Sequence, residues 1–232
     1  MANVLITGCN RGIGLEMARQ YAEAGDRVFA CVRNPAKADK LNEVAKASGG
    51  KLTVHAMDVG DEASIKACAA EIGADTPIDI LINNAGIVAG ENQALGNIDT
   101  NEWLEAFRIM AIGPFRVVEA FLPNLEKAAN GARIMSVTSQ LAASTWPYGG
   151  FYGYASAKIA LNRISQIFAI DLKDRNIISA VVHPGWVKTD MGGPEADITP
   201  AESASGIRNV IAGLTPEKSG GFFKWNGDVH PM

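Results

Sequence analysis

The chain has 232 residues, 47% apolar and 20% charged, the balance of a globular domain and not of a disordered or low-complexity one. At this length roughly 70% of the unfolded surface can be buried, so the core needs no disulfide or metal staple. Twenty-one basic against 25 acidic residues leave a net charge of −4, and without a run of Lys and Arg a nucleic-acid partner is excluded.

Short apolar runs alternate along the chain with segments of helical period, the pattern of repeated βαβ units around a parallel sheet. Taken in order, strands are expected at residues 4–6, 28–32, 52–57, 78–82, 134–137, 178–182 and 221–224. Between them, Ile13, Met17 and Tyr21 recur at helical spacing, as do Ala160, Ile164, Ile167 and Phe168. Turn-rich stretches at 90–99, 145–153 and 192–200 are expected as loops, and no linker or internal repeat divides the chain, so residues 1–232 read as one domain. The apolar run at the amino terminus breaks at Gly8, too soon for a signal-peptide core or a membrane span, and a cytoplasmic location is expected. Cys9, Cys31 and Cys68 are odd in number, with no CxxC, and His55, His183 and His230 share no ligand spacing. Neither a disulfide framework nor a metal site is therefore expected.

The first strand runs directly into Thr7-Gly8-Cys9-Asn10-Arg11-Gly12-Ile13-Gly14 and then a helix. A strand, a glycine-rich turn and a helix start form a dinucleotide site: glycine lets the backbone approach a pyrophosphate, and the helix's first N–H groups favour its charge. The plain alternative is a turn that happens to hold three glycines. Tyr154 and Lys158 stand four residues apart at helical spacing and so share a face. They follow the fifth expected strand, which ends in Ser136-Val137-Thr138-Ser139. A phenol is a poor acid at neutral pH, and a neighbouring ammonium is expected to lower its pKa. Tyr152 has Ser156 four positions on and cannot make the same pair.

The TGxxxGxG spacing resembles the cofactor loop of the short-chain dehydrogenase/reductase family, not the GxGxxG of two-domain dehydrogenases. Further motifs follow in the family's order from Val4 to about Trp225. The resemblance implies that Gly8, Asn10, Arg11, Gly12, Ile13 and Gly14 line the cofactor. Asp58 and Val59 would hold the adenine, and Asn84, Ala85 and Gly86 of the Asn-Asn-Ala-Gly turn would pass beside the adenosine ribose. An Asn pair in a turn also serves structure by bonding its own backbone. The segment 183–191, with Pro184, Gly185, Val187 and Thr189, is similar to the family's PGxxxT; there the Val187 backbone and the Thr189 hydroxyl would engage the nicotinamide carboxamide. By the same resemblance Tyr154 is the general acid/base, Lys158 also bonds the nicotinamide ribose, and Ser139 holds the carbonyl oxygen, with Thr138 its nearest rival.

Where relatives that bind NAD carry an acidic residue, this chain has Val32, followed by Arg33. Each arginine alone reads as a surface charge, but Arg33 and Arg11 together, without a carboxylate, favour NADP(H) over NAD(H). One departure stands out: the family's catalytic asparagine, three residues before a glycine, is Met110 here. A thioether cannot replace an amide, so either the proton relay is built differently or turnover is impaired. Trp146, Tyr148, Phe151 and Trp186 flank the reaction point in sequence and form either an apolar substrate pocket or local cores.

The resemblance implies a Rossmann doubly wound, seven-stranded parallel sheet with helices on both faces. It also implies an NADP(H)-dependent oxidoreductase acting on a small carbonyl or alcohol. The segments HPGWVKTDMGGP and TPEKSGGFFKWNG look like the C-factor and sniffer-type carbonyl reductase branch. A nucleotide-binding sensor with weak turnover is the alternative that Met110 keeps open; an NDP-sugar epimerase, whose relatives have longer chains with an added substrate-binding region, is disfavoured by the length. No long insertion between Ser139 and Tyr154 would cap the family's helix-to-helix interface, so a homodimer or homotetramer is expected, with no membrane partner.

Overall fold

A parallel strand covered on both faces has no solvent side to mark with polar residues, so its sequence reads as a continuous apolar run. In the computed structural model, which describes residues 1–90 and 92–232, seven such runs pair into one parallel sheet. They are β1 (Asn3–Thr7), β2 (Arg27–Val32), β3 (Leu52–Ala56), β4 (Ile80–Asn83), β5 (Ala132–Val137), β6 (Ile177–His183) and β7 (Phe222–Lys224). The order is β3-β2-β1-β4-β5-β6-β7. It reverses between β1 and β4, and that reversal opens a crevice beyond their carboxyl ends.

The helices are α1 (Gly12–Glu23), α2 (Asp39–Ala47), α3 (Glu62–Ile72), α4 (Thr100–Phe107), α5 (Gly113–Leu125), α6 (Tyr152–Asp171) and α7 (Pro200–Ala212). Side chains alternate across the sheet. Val4, Ile6 and Ile82 pack under Met17 and Tyr21 of α1 and Ile207 and Ile211 of α7. Leu5, Leu81 and Ile134 face the other way, onto Val117 and Phe121 of α5 and Phe168 of α6. Each such side chain, fully buried, contributes about 1.5–3 kcal/mol.

Strand positions follow the apolar runs to within a few residues. The expected strand at 78–82 starts late because the Ile78 N–H donates to the Asn124 carbonyl at 3.0 Å, outside the ladder. Two expected loops are shorter than their turn residues suggest. Tyr152 and Gly153 already belong to α6, and Pro200 is the first residue of α7, behind a Thr199–Glu202 capping box. The loop at 90–99 ends on Asp99, whose side chain caps α4, and its residue Glu91 lies outside the described residues. Among the described residues no helix is long and apolar enough to cross a membrane.

Candidate active site

The crevice between β1 and β4 is closed at its floor by backbone packed on backbone. Thr7 Oγ1 accepts from the N–H groups of Asn84 and Ala85, both at 3.1 Å, and Asn84 Nδ2 donates to the Thr7 and Gly8 carbonyls at 3.0 and 3.1 Å. Asn84 thus locks the two turns together, whereas Asn83 turns toward Ser136 of β5, to whose hydroxyl its Nδ2 donates at 3.5 Å. Gly8, at φ 73°, has no room for a side chain: a Cβ there would stand 2.8 Å from Ala85 Cα. A Cβ on Gly14 would meet Asn84 Nδ2 and the Gly8 carbonyl. Gly12 faces Thr189, whose Cγ2 would lie 3.2 Å from an added Cβ, so the segment after β6 forms the opposite wall.

Helix α1 starts behind Arg11 with no side-chain cap and no acidic residue in its first turn. Its first N–H groups, with Ile13 and Gly14 inside that turn, are left for an anion. Arg11 itself reaches across the crevice to Asp190 at 2.6 Å, in a pair whose side chains are 70% and 74% exposed. Arg33 stands exposed one residue past β2, and its charge is felt by Glu105 on α4. The Glu105 carboxyl is held below its usual range first by Arg108, which it pairs with, and also by Arg33. Asp58 lies two residues beyond β3, not at its end, and its Oδ1 accepts from the Gly60 N–H at 2.9 Å, with Val59 buried beside it. In the segment after β6, Gly185 (φ 88°) follows Pro184 and packs on Trp225. Val187 is buried and bridged to Ile198, and the Thr189 hydroxyl donates to the Val187 carbonyl and accepts from the Gly192 N–H. That hydroxyl is therefore engaged within its own loop.

Ser139, Tyr154 and Lys158 converge at the carboxyl end of β5. Ser139 opens a short turn whose Leu141 N–H bonds its hydroxyl at 3.2 Å. Its rival Thr138 is buried and turned away, toward the Lys158 carbonyl. Tyr154 and Lys158 share one face of α6, with Lys158 Nζ 5.8 Å from the phenol ring centre. Burial raises the Tyr154 phenol, while the Ser139 side chain beside it pulls the other way. Burial also lowers the Lys158 ammonium to about 8. The expected lowering of the phenol by Lys158 is thus not what this arrangement displays. Lys158 is itself only 4% exposed, and its ammonium donates to the Val137 carbonyl at 2.7 Å while standing 5.8 Å from the ring centre.

Met110 is fully buried in a π-helical turn, Arg108–Ile112, that joins α4 to α5. A Cβ on Gly86 would stand 3.5 Å from Met110 Sδ and 3.7 Å from Lys158 Nζ, so the thioether and the ammonium border the same small space. The π-helical turn falls where Pro114 has no N–H for the Met110 carbonyl four residues back, and Gly113 lies against the Val59 carbonyl. Elsewhere, Trp146 and Tyr148 meet at 5.4 Å, and Tyr148, Phe151 and Trp186 are exposed around the cleft. His183 and His230 pack edge to face at 5.8 Å, His55 bonds Thr53 and Glu71, and all three histidines are buried. Sequence reasoning missed Gln93, Trp103 and Asp190, whose partners lie far away in the chain.

The model of the short chain dehydrogenase family matches residues 2–198. C-signal of Myxococcus xanthus is 44% identical over 158 residues, which cover 67% of this chain and 93% of that protein. Among solved structures, the NADPH-bound carbonyl reductase from chicken fatty liver is 33% identical with a TM-score of 0.92, covering 100% of this chain and 99% of its own. Carbonyl reductase Sniffer of D. melanogaster is 30% identical with a TM-score of 0.93 and complete coverage of both chains. By this match along most of its length, and by the sheet order and crevice that go with it, the chain belongs to the short-chain dehydrogenase/reductase family, in the branch of C-signal and the Sniffer-type carbonyl reductases.

Proposed function

We propose that this chain is an NADP(H)-dependent oxidoreductase that reduces a small ketone or aldehyde, or oxidises the matching alcohol, with residues 1–232 acting as one cofactor-binding domain. The observation that carries the reading is the convergence of Ser139, Tyr154 and Lys158 beside a crevice moulded for a nucleotide. The crevice suits the cofactor on its own geometry: Gly8 and Gly14 let the turns after β1 and β4 pack backbone against backbone, and an uncapped helix start opens beside them. Gly8, Asn10, Arg11, Gly12, Ile13 and Gly14 would hold the pyrophosphate, Asp58 and Val59 the adenine, Asn84 to Gly86 and Lys158 the riboses, and the Val187 backbone and Thr189, behind Pro184 and Gly185, the carboxamide. Arg33, exposed one residue past β2, with Val32 in place of a carboxylate, supports NADP(H), as do the NADPH and NADP complexes of similar carbonyl reductases; Arg11 is tied to Asp190 across the crevice.

Bound there, the nicotinamide supplies the hydride for the carbonyl carbon. The Ser139 hydroxyl donates a hydrogen bond to the carbonyl oxygen and holds it beside the phenol. Tyr154, kept protonated at neutral pH by burial, gives its proton to the developing alkoxide, which is far more basic than a phenolate. Lys158, poised near 8, restores that proton. The exposed aromatic side chains of Tyr148, Phe151 and Trp186 suit an apolar, ring-bearing carbonyl compound. Phe115 of α5 and Ile159, Ile167 and Ile170 of α6 are large apolar side chains left exposed, and they support a homodimer or homotetramer, which sedimentation equilibrium would register. Three free, buried cysteines accord with a reducing, cytoplasmic setting.

A second reading, a nucleotide-binding sensor with slow turnover, is favoured by Met110 and by the likeness to C-signal. Following NADPH and NADH consumption against a panel of ketones, diketones and aldehydes, with wild type and Met110→Asn side by side, separates the two. NADPH-selective turnover by the wild type is the expected result. A silent wild type beside an active Met110→Asn variant would transfer the assignment to the sensor.

A further inference from the structure

The first turn of the helix that carries Tyr154 is built against ordinary helix-start rules. Phe151, which precedes α6, adopts φ 54° and ψ 33°, and no side chain at that position caps the helix. The missing cap comes from a residue 61 positions earlier. Gln93 Oε1 accepts from the Tyr154 N–H at 2.8 Å, and Gln93 Nε2 donates to the Val88 carbonyl at 2.6 Å. Both polar ends of a side chain only 7% exposed are thereby satisfied. The approach is close: a Cβ on Gly153 would stand 3.3 Å from Ala89 Cβ and 3.4 Å from Gln93 Oε1. Ala89 and Phe151 both have positive φ, and Asn176 is the only other non-glycine residue among the described ones to do so. Strained backbone on both sides of one hydrogen-bonded tie marks a junction that the surroundings over-determine.

We propose that Gln93 is a positioning residue for Tyr154: it fastens the segment after β4, which borders the substrate cleft, to the first turn of α6 and so fixes where the phenol stands. Its bond is to the amide of the proton donor itself. A second tie, from Trp103 Nε1 to Ser156 Oγ at 2.8 Å, holds the same turn from α4 but does not touch Tyr154. Reaction rates respond steeply to displacements of an ångström, so loss of the Gln93 tie acts on turnover more than on cofactor affinity.

The proposal rests on the reductase reading for its kinetic test and is independent of it for its spectroscopic one. Gln93→Met keeps the length and removes both polar groups, whereas Gln93→Glu keeps an acceptor for the Tyr154 N–H. The expected result is a kcat lowered about 10- to 100-fold in Gln93→Met, with KM for NADPH within about twofold, and recovery of most of that loss in Gln93→Glu. Trp103→Phe is expected to retain kcat within about threefold. The second measurement is an ultraviolet titration of the phenol, taken as the difference from the same protein carrying Tyr154→Phe. The groups facing the phenol, Ser139 and Lys158, are unchanged in Gln93→Met, so a loosened first turn that admits water should lower the Tyr154 midpoint by about one unit. A Gln93→Met protein with wild-type kcat and wild-type midpoint overturns the proposal. So do Met and Glu variants that are equally slow and equally reduced in melting temperature. If the wild type reduces no carbonyl compound, the reductase reading falls and the titration alone decides the role of Gln93.

Discussion

The two walls of the crevice are made by different means. On the cofactor side, the turns after β1 and β4 interlock backbone to backbone, with Gly8 and Gly14 placed where any side chain would collide. On the opposite side, exposed side chains are presented instead, with Tyr148 at 71% and Trp186 at 48% exposure. One wall is specified by what is missing and has a single solution. The other is specified by what is displayed, and it can be altered without reshaping the fold.

The sharpest way to break this contrast is to add one methyl group to each wall. Gly14→Ala is expected to lower stability by about 3 kcal/mol and weaken NADPH binding at least about 100-fold, because the new Cβ meets a carbonyl and an amide that cannot move apart. Gly149→Ala, with nothing within 4 Å of its Cβ, should leave both unchanged. Thermal unfolding and a fluorescence titration read the two quantities, and equal losses in both variants would erase the distinction.

Lys158 lies between the walls and provides a probe of stability. Its ammonium, lowered to about 8 from 10.5, holds fewer protons in the folded than in the unfolded chain between those values. Stability contributed by this group therefore rises with pH from about 8 to 10.5, by about 2–3 kcal/mol, and the cost of the buried charge is fully present below 8. Denaturant unfolding of Lys158→Met across that window should lack the rise while turnover is lost; a parallel pH curve in both proteins would refute the buried-charge account. The smallest effect belongs to the displayed wall. Trp186→Ala should raise KM for a ring-bearing ketone about threefold and leave NADPH binding unaltered, as initial-rate kinetics would report.

The sheet was legible in the chain because strands buried on both faces carry uninterrupted apolar runs, as at 28–32 and 134–137. The glycine turn and the Tyr154–Lys158 pair were legible for a similar reason: their chemistry depends on short-range spacing. Gln93 was not, since its partners are a carbonyl five residues back and an amide 61 residues ahead. The direction of the Lys158 ammonium was equally hidden. Spacing placed it beside Tyr154, but the Val137 carbonyl that receives it is fixed by the packing of α6 on β5. Asp190 escaped notice because its contact with Arg11 spans 179 positions and exists only across the crevice.

The ladder between β1 and β4 pairs Val4 with Ile80, and most of two βαβ units lies between them. The β1–β2–β3 half can form from neighbouring segments, whereas the crevice requires that long intervening chain to close first. The nucleotide cradle is complete only when Asn84 reaches Thr7 and Gly8. During synthesis the glycine turn leaves the ribosome ahead of residues 80–86 and has nothing to bind against until they follow. A nascent chain shorter than that carries the signature of the site without the site.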